Sequence, residues 1–241
     1  MLWSIVHLTL GELATGILIF IAFVPPSKIG KGFGRFHAGL ALALWILALR
    51  GNFNLTAFVL FSFLILTFLF SWIDLWYYIF LFCSIACSFL LLTYTPSEMP
   101  GYAHSVLTYL PSILVLGASS ISMLLGHWYL VAPKLPISYL KLLTVSLIAA
   151  ILIRSGILAW VLIENWTKLE SSQFFERYGM FFFQRFLLGL VLTFILSILT
   201  YYCVRIRSTQ SATGILYVVL VFCLIGEIIG NYLNLKTGLL F

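Results

Sequence analysis

Apolar runs separated by short polar punctuation fill almost the whole chain. They cover about Leu2–Val24, Phe36–Leu49, Phe53–Phe70, Trp72–Thr93, Val106–Val131, Tyr139–Leu162, Met180–Val204 and Gly214–Leu233. A helix of about 20 apolar residues crosses the hydrocarbon of a bilayer, so the pattern predicts about eight transmembrane helices. The second run is short, and the third and fourth almost touch. Pro25-Pro26, Gly51-Asn52, Pro96 to Gly101, and Pro133 with Pro136 mark the breaks. Against this regular background, four ionisable residues stand inside apolar runs: Glu12, Arg154, Arg185 and Glu227. Asp74, at the start of the fourth run, reads as interfacial.

Composition sets the class. Hydrophobic residues make up 63% of the 241, charged residues 8%, and the mean hydropathy is +1.14. A soluble domain of this size needs more polar surface than that. The expected fold is an all-α, polytopic transmembrane helix bundle forming a single integral membrane domain over residues 1–241. The first run is too long for a signal-peptide core and lacks a basic start and a small-residue cleavage site, so it is expected to stay as a span. The net charge of +6 lies mostly in loops and reads as topology, not as nucleic-acid binding. Lys28, Lys31, Arg35, Lys134, Lys141, Arg205 and Arg207 fall on one side of the eight-span scheme. Arg50, Lys168, Arg177 and Lys236 fall on the other. Seven against four places the first set in the cytoplasm and both termini outside, with an acidic loop carrying Glu164, Glu170 and Glu176.

The same scheme gives the four charges a depth. At 1.5 Å of rise per residue, Glu12 lies about 14 Å below the outer surface, Arg154 about 15 Å, Arg185 about 10 Å and Glu227 about 9 Å. Four helices thus carry their charges into one band, where two acids balance two bases. Small residues flank them: Gly11 and Gly16, Ser155 and Gly156, and Gly226 and Gly230, with Asn231 one turn beyond Glu227. Small residues let helices approach closely. One reading is structural, with two ion pairs clamping the bundle. The other is functional, because an ionisable group within a membrane marks a candidate site. A carboxyl group in apolar surroundings can exchange a proton near neutral pH, and a nearby arginine can orient a carbonyl oxygen.

Three stretches resemble the eight-helix membrane anchor of bacterial dimethyl sulfoxide reductase and its relatives, the polysulfide-reductase-type quinol subunits. They are Gly11-Glu12-Leu13-Ala14-Thr15-Gly16, Gln184-Arg185-Phe186-Leu187, and Ile225-Gly226-Glu227-Ile228-Ile229-Gly230-Asn231-Tyr232-Leu233. They keep the family's order and cover both ends, leaving the middle unmatched. Asn231 replaces the arginine of the family's closing motif, and the His-Leu-Gly segment expected after the second span is not seen. The resemblance implies a subunit of a respiratory chain, often of anaerobic respiration, in a bacterial or archaeal cytoplasmic membrane. Such a subunit binds menaquinone or ubiquinone. It exchanges electrons with an iron–sulfur partner that serves a catalytic, molybdenum-type subunit. In that reading Glu12 or Glu227 takes a proton and Arg154 and Arg185 hold the quinone headgroup, with Asn231 beside them. His7, five residues before Glu12, relays.

Other chemistry is less well supplied. Cys83, Cys87, Cys203 and Cys223 lie in apolar runs without CxxC spacing, so no cysteine-bound cofactor is expected. His37 and His127 fall near one membrane face on different helices, a pair that in an alternative reading ligates a b-type haem. Otherwise His127, with Trp128 and Tyr129, belongs to the interfacial aromatic belt. His104 lies in a loop. A proton-coupled transporter is a further alternative. No inverted repeat or mid-membrane break supports it, and Pro111 sits near the outer end of its run. Motifs of soluble enzymes are absent.

Overall fold

In the computed structural model, which describes residues 2–50, 54–94, 106–132, 135–166, 172–239 and 241, every apolar run becomes helix. The helices are α1 (Leu2–Ile21), the single turn α2 (Pro26–Ile29), α3 (Lys31–Leu49), α4 (Leu55–Leu69), α5 (Asp74–Tyr94), α6 (Val106–Val131), α7 (Ser138–Glu164), α8 (Ser172–Phe186), α9 (Thr193–Arg205) and α10 (Thr209–Thr237). A π-helical segment, Leu187–Leu192, joins α8 to α9 into one long rod. The breakers Gly51-Asn52, Pro96 to Gly101 and Pro133, together with His104, Lys134, Lys168 and Glu170, lie outside the described residues.

The protein is a multi-pass, all-α membrane bundle. Among the described residues, seven helices are long and apolar enough to cross a bilayer, the α8–α9 rod counting once. The eighth expected span, α4, has 15 residues. At about 22 Å it is shorter than the roughly 30 Å hydrocarbon core. It still runs from one end of the bundle to the other. Arg50 caps α3 at φ 50° with its guanidinium over the Trp3 ring at 4.0 Å. Just past the far end of α4, Arg35 Nε donates to Ser71 Oγ at 2.7 Å. The up-and-down order is therefore kept, and Trp3 and Thr237 lie at the same end. At the opposite end Lys31 and Arg35 stand over Trp72, and Lys141 over Tyr201.

Two helices form the axis. In α1 and α6, 67% and 78% of the apolar stretch is buried, against 44% or less for the other spanning helices. They cross where Gly16 meets Gly117. A Cβ on Gly16 would lie 2.4 Å from the Ile113 carbonyl oxygen, so only glycine permits the approach. The α3–α4–α5 group covers one side of this axis. On that side Gly11 lies against Trp45 and Leu92, and Trp45 Nε1 donates to Ser88 Oγ at 3.1 Å. The α7 to α10 group covers the other side. Leucine, isoleucine, phenylalanine and tryptophan side chains populate the exterior, as expected where the surrounding solvent is lipid.

One boundary differs from expectation in a way that matters for the site. The seventh span does not begin at Met180 but at Ser172, so Glu176 belongs to a helix and not to a loop. The added turns are amphipathic. Phe174 and Phe182 turn inward to the Phe241 ring while Phe175, Glu176 and Arg177 face outward.

Candidate functional site

The site is assembled on one face of α10. Glu227, Asn231 and Asn234 repeat at i, i+4 and i+7 and so share a stripe, with Gly226 and Gly230 beside it. Both glycines make room for a guanidinium. A Cβ on Gly226 would come within 2.8 Å of Arg185 Nη1 and 2.6 Å of the Gly189 Cα, and one on Gly230 within 3.1 Å of Arg185 Nε. The facing Gly189, four residues after Arg185, lies in the π segment, and its backbone meets α10 at Gly226. Thr193 Oγ1 donates to the Leu188 carbonyl five residues back at 2.7 Å, which occupies a carbonyl freed by the irregular turn. Such single-turn π segments recur at functional positions of helices.

Glu227 is the centre. Arg185 Nη2 donates to its Oε1 at 2.9 Å, and Arg154 Nη2 to its Oε2 at 2.9 Å. Ser112 Oγ of α6 also donates to Oε2, at 2.8 Å. Arg154 Nη2 further donates to the main-chain oxygen of Phe241. Glu12, Glu227, Arg154 and Arg185 are all nearly or wholly withdrawn from the surface, at 0%, 0%, 3% and 1% exposure. The four charges of the sequence therefore do converge. Their pairing differs from the expected two separate bridges, because both arginines bind the same acid.

Glu12 is left outside the ion pairs. Its Oε2 accepts from Asn231 Nδ2 at 2.9 Å, and the same amide also donates to Thr9 Oγ1 at 3.2 Å. Asn231 thus ties α10, the helix that carries Glu227, to Glu12 and Thr9 of α1. Among the described residues, Glu12 Oε1, Arg154 Nε, Arg185 Nε, Arg185 Nη1 and Asn234 Oδ1 are buried without a hydrogen-bond partner.

Behind the cluster the Phe241 ring stacks on Phe174, 5.8 Å between centroids and 12° apart. Beyond it, Leu162, Trp166, Phe174, Phe175, Phe182 and Phe186 line a wholly apolar cavity of about 250 Å³ at the α7–α8 side. Trp166 and Phe186 are exposed on the bundle exterior, so two of the cavity's lining residues reach the surface of the protein. No family model, curated protein or solved structure matches the chain.

Three residues expected at the site or as haem ligands sit elsewhere. His7 is about 140° around α1 from Glu12. It bonds the Ala48 carbonyl through Nδ1 at 3.0 Å and lies edge-on to Trp45, on the α3 side. It therefore does not stand between Glu12 and the surface as a relay would. His37 is buried on α3, its Nδ1 bonded to the Phe33 carbonyl at 2.6 Å. His127 is exposed and pairs with Tyr217 at 3.1 Å. The two rings lie on different sides of α6: Phe33, which packs on His37 of α3, meets Trp128, while His127 meets Tyr217 of α10. Gly156, expected to bring helices together, has no neighbour within 4 Å of an added Cβ. Ser112, Thr9, Asn234 and the aromatic cavity escaped the sequence reading. A serine after Pro111 and an asparagine seven residues past Glu227 were the available signals.

Proposed function

We propose that this protein is the quinone-interacting membrane subunit of a respiratory oxidoreductase, with the α7–α8 cavity as the headgroup entry and the buried cluster as its charge and proton partner. The observation that carries the reading is an aromatic cavity at the bundle exterior whose lining residues Phe174 and Phe182 pack on Phe241, the residue whose main-chain oxygen accepts from Arg154 of the buried group of two arginines and two acids. A quinone needs both. Its ring and isoprenoid tail partition into apolar, aromatic surroundings, and its carbonyl oxygens take up or release protons and charge during redox change.

The roles divide by geometry. Both oxygens of Glu227 are held by arginines, so Glu227 acts as the clamp. Glu12 has a free oxygen and no cation bonded to it, so it is the proton acceptor. With Glu12 ionised the four charges sum to zero. With Glu12 protonated, two guanidinium groups face one carboxylate, and the surplus positive charge favours an electron-rich quinone species nearby. In quinol oxidation two electrons pass to an iron–sulfur centre of a partner subunit. Two protons leave in succession, each taken up by Glu12 after it has released the previous one. A catalytic partner subunit of molybdenum type, a cytoplasmic bacterial or archaeal membrane and outward-facing termini complete the reading.

A second reading has its own observation. The double pairing of Glu227 and the Gly189–Gly226 contact are what a purely structural clamp requires. Quinone binding separates the two. The chain in lipid nanodiscs should show saturable quenching of tryptophan fluorescence by a short-chain naphthoquinone, and Trp166→Phe should remove most of the saturable part. Equal quenching in Trp166→Phe, or none that saturates, would leave the structural clamp.

A further inference from the structure

The buried stripe of α10 continues past the cluster toward the end of the bundle that holds Trp3 and Thr237. Glu227, Asn231, Asn234 and Thr237 follow one another at four-, three- and three-residue steps on one face, which spans about 15 Å. Glu12 and Thr9 of α1 face its inner half. The links are partly drawn, because Asn231 Nδ2 donates to both Glu12 Oε2 and Thr9 Oγ1. Two atoms along it, Glu12 Oε1 and Asn234 Oδ1, are buried at 0% and 2% residue exposure and take no hydrogen bond from the described residues. Buried oxygens of this kind are normally satisfied by water. Thr237 is half-buried and Lys236 exposed at the bundle end, so the stripe leads from the core to the membrane surface.

We infer that the seam between α1 and α10, formed by Thr9, Asn231 and Asn234, is a hydrated proton path connecting Glu12 to the bundle end that carries Thr237. Neither asparagine nor threonine titrates in the working range. They act as positioning residues that hold water against Glu12 in a setting where an unsatisfied polar group costs several kcal/mol. The proton itself moves between water and the Glu12 carboxyl oxygen. The charged groups acting on Glu12 are Glu227 of α10, Arg154 of α7 and Arg185 of α8. Helices α3 and α5 carry Lys31, Arg35 and Asp74 at their opposite ends, α6 places His127 there as well, and Arg50, the cap of α3, stands over Trp3 at the end that carries Thr237. His7, on the α3 side of α1, is bonded to Ala48. The seam rests on the quinone reading only for the reaction it serves, since proton exchange at Glu12 can be measured without any quinone.

The test is infrared difference spectroscopy on the chain in nanodiscs without quinone. Acidification should produce a carboxylic C=O band that shifts on transfer to heavy water and is missing in Glu12→Gln. Its hydrogen–deuterium exchange should slow about tenfold in Asn234→Leu and in Thr9→Val, equivalent to about 1.4 kcal/mol in the barrier. Asn234→Ser, which keeps a polar group on the seam, should exchange at close to the parent rate. Circular dichroism and elution volume establish that each variant is folded before its rate is read. A band that persists in Glu12→Gln, or exchange unaltered in both Asn234→Leu and Thr9→Val, overturns the path. A normal seam with no quinone quenching would instead overturn the quinone reading alone.

Discussion

Removing the charge of Glu227 is the sharpest perturbation of the bundle. Glu227→Gln keeps the shape and one acceptor oxygen but leaves Arg154 and Arg185 without their shared anion. Both guanidinium groups are buried, and each makes a 2.9 Å bond to Glu227. Breaking a buried ion pair by removing one partner costs about 3–5 kcal/mol, because the remaining charge stays in a low dielectric. The expected loss for Glu227→Gln lies in that range. Arg185→Gln alone should cost less, about 1–3 kcal/mol, since Glu227 keeps Arg154 and Ser112. The double variant should then be more stable than Glu227→Gln, because one of the two stranded cations has gone. Reversible unfolding in mixed micelles measures all three. A Glu227→Gln protein within about 1 kcal/mol of the parent would mean that the pairs act as surface pairs do and strand no buried charge. Additive losses in the double variant would refute the shared-anion geometry.

Other predictions follow from neighbouring features. Gly226→Ala should destabilise by about 1–3 kcal/mol through overpacking against Gly189 and Arg185. Gly156→Ala, with open space around the new methyl group, should be neutral or gain up to about 1 kcal/mol from helix propensity. The same unfolding assay compares them. With the proposed topology, a cysteine placed at Lys236 should react with an impermeant reagent from outside whole cells, and one at Lys31 only from inside. Reactivity in the reverse pattern would invert the orientation. Purified protein should carry no stoichiometric iron by metal analysis. A b-type haem spectrum would favour the His37 and His127 alternative.

What the sequence made legible was depth. A fixed rise per residue converts position along an apolar run into height in the membrane, and Glu12, Arg154, Arg185 and Glu227 accordingly meet in one layer. Rotation about the helix axis was less legible. His7 is close to Glu12 in sequence yet faces α3, and Gly156 follows Arg154 yet touches nothing. Pairing depends on azimuth and on which helices are neighbours, so the shared anion at Glu227 was not foreseen. Neither was the π segment, whose Gly189 meets Gly226 of α10, a contact between helices that local propensity does not encode. The start of α8 was misplaced for a different reason. Ser172 to Gly179 carries Glu176 and Arg177, which read as loop in a hydrophobicity pattern. The turn is held by Phe174, Tyr178 and Phe182 packing on Phe241 and Tyr232. The aromatic cavity arises from that packing and has no signature in the order of residues.

In the proposed function the α7–α8 cavity receives a quinone beside the buried cluster. Photolabelling the chain in native-like membranes with an azido-quinone, followed by peptide mapping, distinguishes this site from the rest of the surface. Label should concentrate between Leu162 and Phe186 and fall with excess unmodified quinone and in Phe182→Trp, which fills the cavity. Label spread over the lipid-facing surface, or competed label confined to α3–α5, would contradict it.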